Sequence, residues 1–201
     1  MRITFKKSEI KDLIKAWLAI SLAFGILSMS ALANTYGAIN GFLISLAISL
    51  TTAGLGFVIH ELAHKIVAQK FYCSAEFKSN DTMLIMAILM SFIGFIIAAP
   101  GAVWIKGSVN KKQNGIISLS GPLSNFLLAL LFLPGIFLTK NLAQFFLFQG
   151  FFINSWLGLF NMIPFRPFDG SKIFKWNKPI YLALTALLLV MVFFGFRMFS
   201  A

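Results

Sequence analysis

The stretch INGFLISLAISLTTAGLGFVIHELAHKIVAQK, residues 39–70, decides the fold of this chain. Residues 39–59 are mostly apolar and contain no charged residue, and no proline interrupts the stretch before Lys70. About 20 apolar residues are enough for a helix to cross the hydrocarbon core of a bilayer. The stretch therefore predicts a transmembrane helix that carries two histidines, His60 and His64, near its end.

Similar apolar runs make up most of the remaining sequence. They cover residues 16–33, 83–99, 116–139, 142–163 and 180–199. Of the 201 residues, 59% are apolar and 11% are charged, whereas about a quarter of the residues in a soluble domain are charged. This composition excludes a soluble globular domain and a disordered chain, and the single cysteine, Cys73, excludes an intramolecular disulfide. We predict an all-α polytopic membrane protein that forms one domain over residues 1–201.

The amino-terminal residues 1–15 form a basic amphipathic segment that we expect to lie on the membrane surface. The sequence Ala31-Leu32-Ala33 also fits a signal-peptidase site, so cleavage after it stays open. The net charge of +11 is scattered between the apolar runs and forms no basic stripe interleaved with aromatic residues. We therefore expect the charges to set the topology and contact lipid headgroups, and we expect no nucleic-acid partner.

The distribution of Lys and Arg favours one topology. If all six runs span and the amino terminus is cytoplasmic, 10 of these residues lie inside and 7 outside. If the run at residues 83–99 enters the membrane and returns, the split becomes 15 to 2, as the preference of positive charge for the cytoplasm requires. We predict five spanning helices plus a re-entrant segment, with six membrane helices as the alternative. Residues 102–106, after Pro100-Gly101, are expected to form a short strand.

The two histidines are the only ones in the chain, and Glu61 directly follows the first. Residues four apart lie on one face of a helix, so both imidazoles can bind one metal ion. Glu61 lies close enough to reach a water at that site without being a ligand. The alternative is a pair of structural histidines. An ionisable group in a bilayer costs about 2.5–3.5 kcal/mol, whereas a zinc site contributes about 10 kcal/mol or more, which favours the metal.

A catalytic zinc site has three protein ligands and an open position, so a third ligand is needed. The candidates are Cys73, Glu9, Asp12, Glu76, Asp81 and Asp169. Asp169 lies in NMIPFRPFDG, residues 161–170, where two prolines end the preceding helix. An Asp-Gly pair alone most often marks a turn. With the third run re-entrant, however, the segment around Asp169 and the two histidines reach the same side of the membrane, and Asp169 becomes the preferred ligand.

The sequence resembles the site-2 protease family of intramembrane zinc metalloproteases. The resemblance is carried by His60-Glu61-Leu62-Ala63-His64, then Ser120-Gly121-Pro122-Leu123-Ser124-Asn125, then residues 161–170. It implies a catalytic core over residues 39–170, one Zn²⁺ per chain bound by His60, His64 and Asp169, and Glu61 as the general base. It also implies that Asn161 orients the substrate or stabilises the oxyanion. Ser171 replaces a second glycine that is frequent in the family. For Asn125 and Asn161, hydrogen bonding between helices is an alternative role.

The function that follows is hydrolysis of peptide bonds in or near transmembrane segments. The expected partners are a transmembrane protein or peptide substrate and the lipid bilayer. The expected location is a prokaryotic cell membrane, with the amino terminus and the site towards the cytoplasm. The alternative is a non-hydrolytic zinc-binding membrane protein or a zinc transporter, although a transporter should have polar residues along a path across the whole bilayer.

Overall fold

The computed structural model describes residues 3–96 and 100–200. Met1 and Arg2 of the predicted surface segment, and residues 97–99 at the end of the third apolar run, lie outside the described residues. The helices are α1 Lys7–Tyr36, α2 Ala38–Lys70, α3 Asp81–Ser91, α4 Lys111–Leu138, α5 Asn141–Asn161, α6 Gly170–Trp176 and α7 Lys178–Ser200. The strands are β1 Ser74–Ser79 and β2 Gly101–Lys106. The predicted short strand is therefore confirmed.

Five of the described helices, α1, α2, α4, α5 and α7, are long and apolar enough to cross a membrane. Their outer faces carry large apolar side chains that water would not tolerate at this density. Leu131 of α4 is 74% exposed and Val190 of α7 is 66% exposed. The predicted all-α polytopic membrane protein is confirmed.

In the described part of the third apolar run, residues 83–96, the helix is the short α3. Its 11 residues extend about 16 Å at 1.5 Å per residue, roughly half of the hydrocarbon thickness. The helix begins after Asn80, whose side chain accepts a hydrogen bond from Met83 N, and a turn follows Ser91. The length of α3 agrees with five spanning helices and a shorter sixth element.

The described chain divides into two compact units. The first unit contains Ile59–Ala75 and the chain from Ile105 onward. The second unit contains Thr4–Val58 and Glu76–Trp104. The single domain over residues 1–201 stays a prediction.

In the second unit, α1 and the first part of α2 approach closely through small residues. A Cβ atom at Gly41 would overlap the backbone of Ala33, which is typical of helix pairs in membranes. A π-helical turn, Leu50–Gly54, interrupts α2. The indole N–H of Trp17 on α1 donates to the carbonyl of Leu50 at 2.9 Å and so satisfies an acceptor where the helix ladder changes.

The strands β1 and β2 form an antiparallel two-stranded sheet. Asn80 N–H donates to the Pro100 carbonyl at 2.9 Å, which sets a register with Phe77 opposite Val103. On the other side of β1, the carboxylate of Glu9 accepts from Phe77 N–H at 3.0 Å and that of Asp12 accepts from Ser79 N–H at 3.4 Å. The outer edge of β1 is therefore covered by acidic side chains of α1.

Two ion pairs also join the start of α1 to the elements after α2. Lys6 Nζ lies 2.6 Å from Glu76 and Lys15 Nζ lies 2.5 Å from Asp81. The hydrogen bond from Lys6 lowers the pKa of Glu76 below its ordinary value. Because α1 begins at Lys7, the predicted surface segment and the first apolar run share one helix. The location of residues 1–15 on the membrane surface stays a prediction.

In the first unit, α4, α5, α6 and α7 pack around two apolar clusters. One consists of Met162, Ile173, Tyr181, Leu184 and Leu188. The other consists of Ala129, Ile136, Phe151 and Met191. These clusters fix the ends of α4 and α5 and the short helix α6, which carry most of the residues around the predicted metal ligands.

Candidate metal centre

His60, His64 and Asp169 come together in the first unit. The Nε2 atoms of the two histidines are 3.0 Å apart, and Asp169 Oδ2 lies 3.5 Å from His60 Nε2 and 2.9 Å from His64 Nε2. Both imidazoles are buried, with 4% and 7% exposure for the residues. Within the described residues, this trio is the group that could hold a metal ion.

The outer ring nitrogens fix the tautomer of both histidines. His64 Nδ1 lies 2.7 Å from the carbonyl of Ile117, and His60 Nδ1 lies 2.6 Å from Asn125 Oδ1. Because these oxygens can only accept, both Nδ1 atoms carry the proton and donate it. When both rings are neutral, their Nε2 atoms present lone pairs to the same point, an arrangement that a cation stabilises and that metal-binding histidines commonly show.

The separations fit zinc. Ligand atoms of a tetrahedral zinc site lie about 2.0–2.2 Å from the metal, which places them roughly 3.3 Å from one another. The three separations here, 2.9, 3.0 and 3.5 Å, bracket that value. Two imidazoles and one carboxylate also form a donor set found in catalytic zinc sites.

The segment Gly121-Pro122-Leu123-Ser124-Asn125 of α4 forms one wall of the site. A Cβ atom at Gly121 would overlap Nε2 of both His60 and His64, so only glycine leaves room for the rings. One turn later, Asn125 binds His60. Pro122 interrupts the hydrogen-bond ladder of α4, close to the Ile117 carbonyl that binds His64. The segment thus orients both histidines.

Asp169 is held by a closed loop between α5 and α6. A Cβ atom at Gly170 would overlap the carbonyl of Met162, so the two ends of this loop touch. The ring of Phe168 packs edge-on against Phe160 of α5 at 4.9 Å. Asp169 is the residue before α6 and Gly170 is the first residue of that helix, and this helix start places the carboxylate beside the histidines.

The Asp169 carboxyl lies outside the spanning helices. Burial raises its pKa, but the charge of His64 and hydrogen bonds with His60 and His64 outweigh burial and hold this pKa well below its ordinary value. The other carboxylate oxygen, Oδ1, lies 3.5 Å from Lys172 Nζ. The group therefore stays ionised, which is the form that binds a metal.

The two predicted catalytic residues differ in their surroundings. Glu61 follows His60 on α2 and is 7% exposed. Asn161 is the last residue of α5, and its amide donates to the Leu157 carbonyl of its own helix at 2.9 Å. The general-base role of Glu61 and the substrate-orienting role of Asn161 stay predictions.

The other candidates for a third ligand are engaged elsewhere. Cys73 is buried, with Sγ 3.7 Å from the Phe71 carbonyl. The acids Glu9, Asp12, Glu76 and Asp81 belong to the second unit and contact β1 and lysines there.

One residue near the metal centre, Asn154, was not among the residues predicted from the sequence. Its side chain is hydrogen-bonded to Asn125. Its one available signal was a polar residue inside an apolar run, since such residues are costly in membranes.

These features define a membrane metalloprotein, and comparison with known proteins gives its family. Over 197 residues the chain is 38% identical to a Methanocaldococcus jannaschii protein named "Putative zinc metalloprotease MJ0611", covering 94% of this chain and 97% of the relative. Over 141 residues it is 30% identical to the Bacillus subtilis protein named "Putative zinc metalloprotease YwhC", covering 60% of this chain and 64% of the relative. No family model matches, and no solved structure matches significantly. The chain belongs to the zinc metalloprotease family of these relatives, and the fold makes it a membrane metalloprotease.

Proposed function

We propose that the protein is an intramembrane zinc endopeptidase of the site-2 protease type, which cleaves membrane-anchored substrates in or near their transmembrane segments. The observation that carries the proposal is the convergence of His60, His64 and Asp169, with Glu61 next to the first ligand. The two histidines lie on a helix that is long and apolar enough to span the bilayer. A peptidase centre at such a position acts on chains that are themselves in the membrane.

The proposed chemistry assigns each step to residues of this chain. His60, His64 and Asp169 would hold one Zn²⁺, which would supply Lewis-acid chemistry to a water and to the peptide carbonyl. Glu61 accepts the proton of the water whose oxygen attacks the carbonyl carbon. As the carbon–nitrogen bond breaks, Glu61 returns that proton to the leaving amine. Asn161 is proposed to orient the substrate or to donate to the developing oxyanion.

The proposed orientation places the amino terminus and the metal centre towards the cytoplasm. It is supported by the 15-to-2 distribution of Lys and Arg when α3 does not span. The contact of Asp169 with both histidines supports the five-span topology, because five spans bring the end of α2 and the loop after α5 to one side. A prokaryotic cell membrane is the proposed location.

A substrate helix must unwind before cleavage, because its carbonyls are otherwise hydrogen-bonded. We propose that β2 receives the unwound segment by edge pairing. The register of the sheet supports this, since Phe77 N–H faces α1 and its opposite residue, Val103, directs its own N–H away from β1.

Val103→Pro is expected to abolish cleavage and to leave bound zinc unchanged. Proline at 103 removes an outward N–H and spares the bonds between β1 and β2. Val103→Thr, which keeps the N–H and the β-branch, serves as the control. Cleavage rate and zinc content are measured on the same preparations. Cleavage by Val103→Pro at the rate of Val103→Thr would contradict the role of this edge.

The proposed function is tested in liposomes that contain the purified protein and a library of labelled single-span peptides. Cleavage is expected, and it should stop with a zinc chelator and return when zinc is added. Cleavage sites are identified by mass spectrometry. Zinc uptake into the same vesicles is measured to test the alternative that the protein is a zinc transporter. If wild type and Glu61→Gln both transport zinc and neither cleaves a peptide, the protein is a transporter and the proposal is wrong.

A further inference from the structure

A chain of three hydrogen bonds leads from the metal centre into the centre of α5. His60 Nδ1 lies 2.6 Å from Asn125 Oδ1, and Asn125 Nδ2 donates to Asn154 Oδ1 at 3.0 Å. Asn154 Nδ2 then donates to the Gly150 carbonyl, four residues earlier on α5, at 2.8 Å. Asn125 and Asn154 are both fully buried, at 0% exposure.

The Gly150 carbonyl sets the direction of the whole chain. A carbonyl oxygen only accepts, so the atom of Asn154 that faces it must be the amide nitrogen. The oxygen of Asn154 therefore faces Asn125 and accepts from its amide nitrogen. This in turn directs the Asn125 oxygen to His60, where it accepts the Nδ1 proton. The lone pair of His60 is thereby placed on Nε2, the atom that faces His64 and Asp169.

We propose that Asn154 is a positioning residue for the metal centre: it fixes the amide of Asn125 and, through it, the tautomer and ring orientation of His60. The inference rests on the proposed zinc site and adds a residue to it. Without the acceptor at 154, the Asn125 amide can turn over and present its nitrogen to His60. The Nδ1 atom would then have to accept, and the proton would move to Nε2, where it blocks metal binding.

A purely structural role for Asn154 would give a different result. A hydrogen bond between two helices stabilises the fold, and its loss would lower the stability of metal-free and metal-bound protein alike. Such an equal loss leaves zinc affinity unchanged, whereas loss of a positioning residue also weakens zinc binding. Loss of a partner that orients a metal ligand typically costs 10–100-fold in affinity.

The experiment compares three replacements at 154 with a neighbouring control. Asn154→Leu removes both hydrogen bonds, and Asn154→Ser keeps a donor for the Gly150 carbonyl but cannot reach Asn125. Asn154→Asp keeps an acceptor oxygen for Asn125 and, in the protonated form that burial favours, an O–H donor for the Gly150 carbonyl. Ser155→Ala is the matched control, because Ser155 is equally buried and donates only to Phe151, four residues earlier.

Zinc dissociation constants are measured by chelator competition, together with the melting temperature of the metal-free proteins. Asn154→Leu and Asn154→Ser should bind zinc about 10–100-fold more weakly, while Asn154→Asp and Ser155→Ala stay within about threefold of wild type. If Asn154→Leu does not fold, the zinc affinity of Asn154→Ser alone is compared with that of the control. Wild-type affinity in Asn154→Ser, or an equal loss in Asn154→Asp, would overturn the inference. A wild type that binds no zinc would instead overturn the proposed function.

Discussion

Glu61→Gln is expected to reduce peptide hydrolysis by about 100- to 10,000-fold while the protein keeps about one zinc ion per chain. Glutamine has nearly the shape of glutamate but cannot take up a proton from water. His60, His64 and Asp169 are unchanged, so their contacts of 2.9–3.5 Å remain. The measurement is the initial rate of peptide cleavage in liposomes, with metal content determined on the same sample.

Glu76→Gln is the matched control for Glu61→Gln. It removes a carboxylate in the second unit that pairs with Lys6 and is absent from the metal group. We expect its cleavage rate to stay within about threefold of wild type, because an exposed ion pair contributes little. A Glu61→Gln protein that cleaves as fast as Glu76→Gln would show that another group moves the proton. Loss of zinc from Glu61→Gln would assign Glu61 to the ligand set.

Asp169→Ala is expected to weaken zinc binding by more than about 100-fold and to abolish hydrolysis. The reason is that even a partner that merely orients a ligand is commonly worth 10–100-fold, and Asp169 contacts the metal position itself. Asp169 Oδ2 lies within 3.5 Å of both Nε2 atoms and contributes the negative charge of the site. Zinc affinity is measured by chelator competition, and cleavage is measured in liposomes.

Two further variants make the Asp169 result specific. Asp169→Asn keeps the shape of the side chain and should still lose most of the affinity, because the charge is gone. Asp81→Ala removes an exposed carboxylate of the second unit, which pairs with Lys15, and should bind zinc like wild type. Unchanged affinity in Asp169→Ala would mean that the third ligand is another residue.

The sequence predicted most of the fold because apolar length is a local property. Runs of about 20 apolar residues identify spanning helices one at a time. The short helix α3 is different, since residues 83–99 are as apolar as the spanning runs although the helix ends at Ser91. Only a property of the whole chain, the distribution of Lys and Arg, separated this run from the others.

The metal centre was predictable where its residues are close in sequence or linked by topology. His60 and His64 are four apart, and Asp169 followed from counting membrane crossings. Asn154 was not predictable, because it lies 29 residues from Asn125 and the two meet only when α4 packs against α5. The role of Gly121 was not predictable either, although the residue lies in the motif of residues 120–125, because its missing side chain matters only where two imidazole rings occupy that space.

The acidic cover on β1 has a consequence for how copies of this protein behave side by side. A two-stranded sheet ordinarily offers two edges along which a second molecule can extend it, and such edges lead to aggregation. Here Glu9 and Asp12 already accept from the N–H groups of Phe77 and Ser79. A neighbouring copy that approached this edge would find its donors taken and would meet two carboxylates. Growth of the sheet from one molecule to the next along β1 is thereby opposed, which leaves the edge of β2 as the side where a further strand can pair.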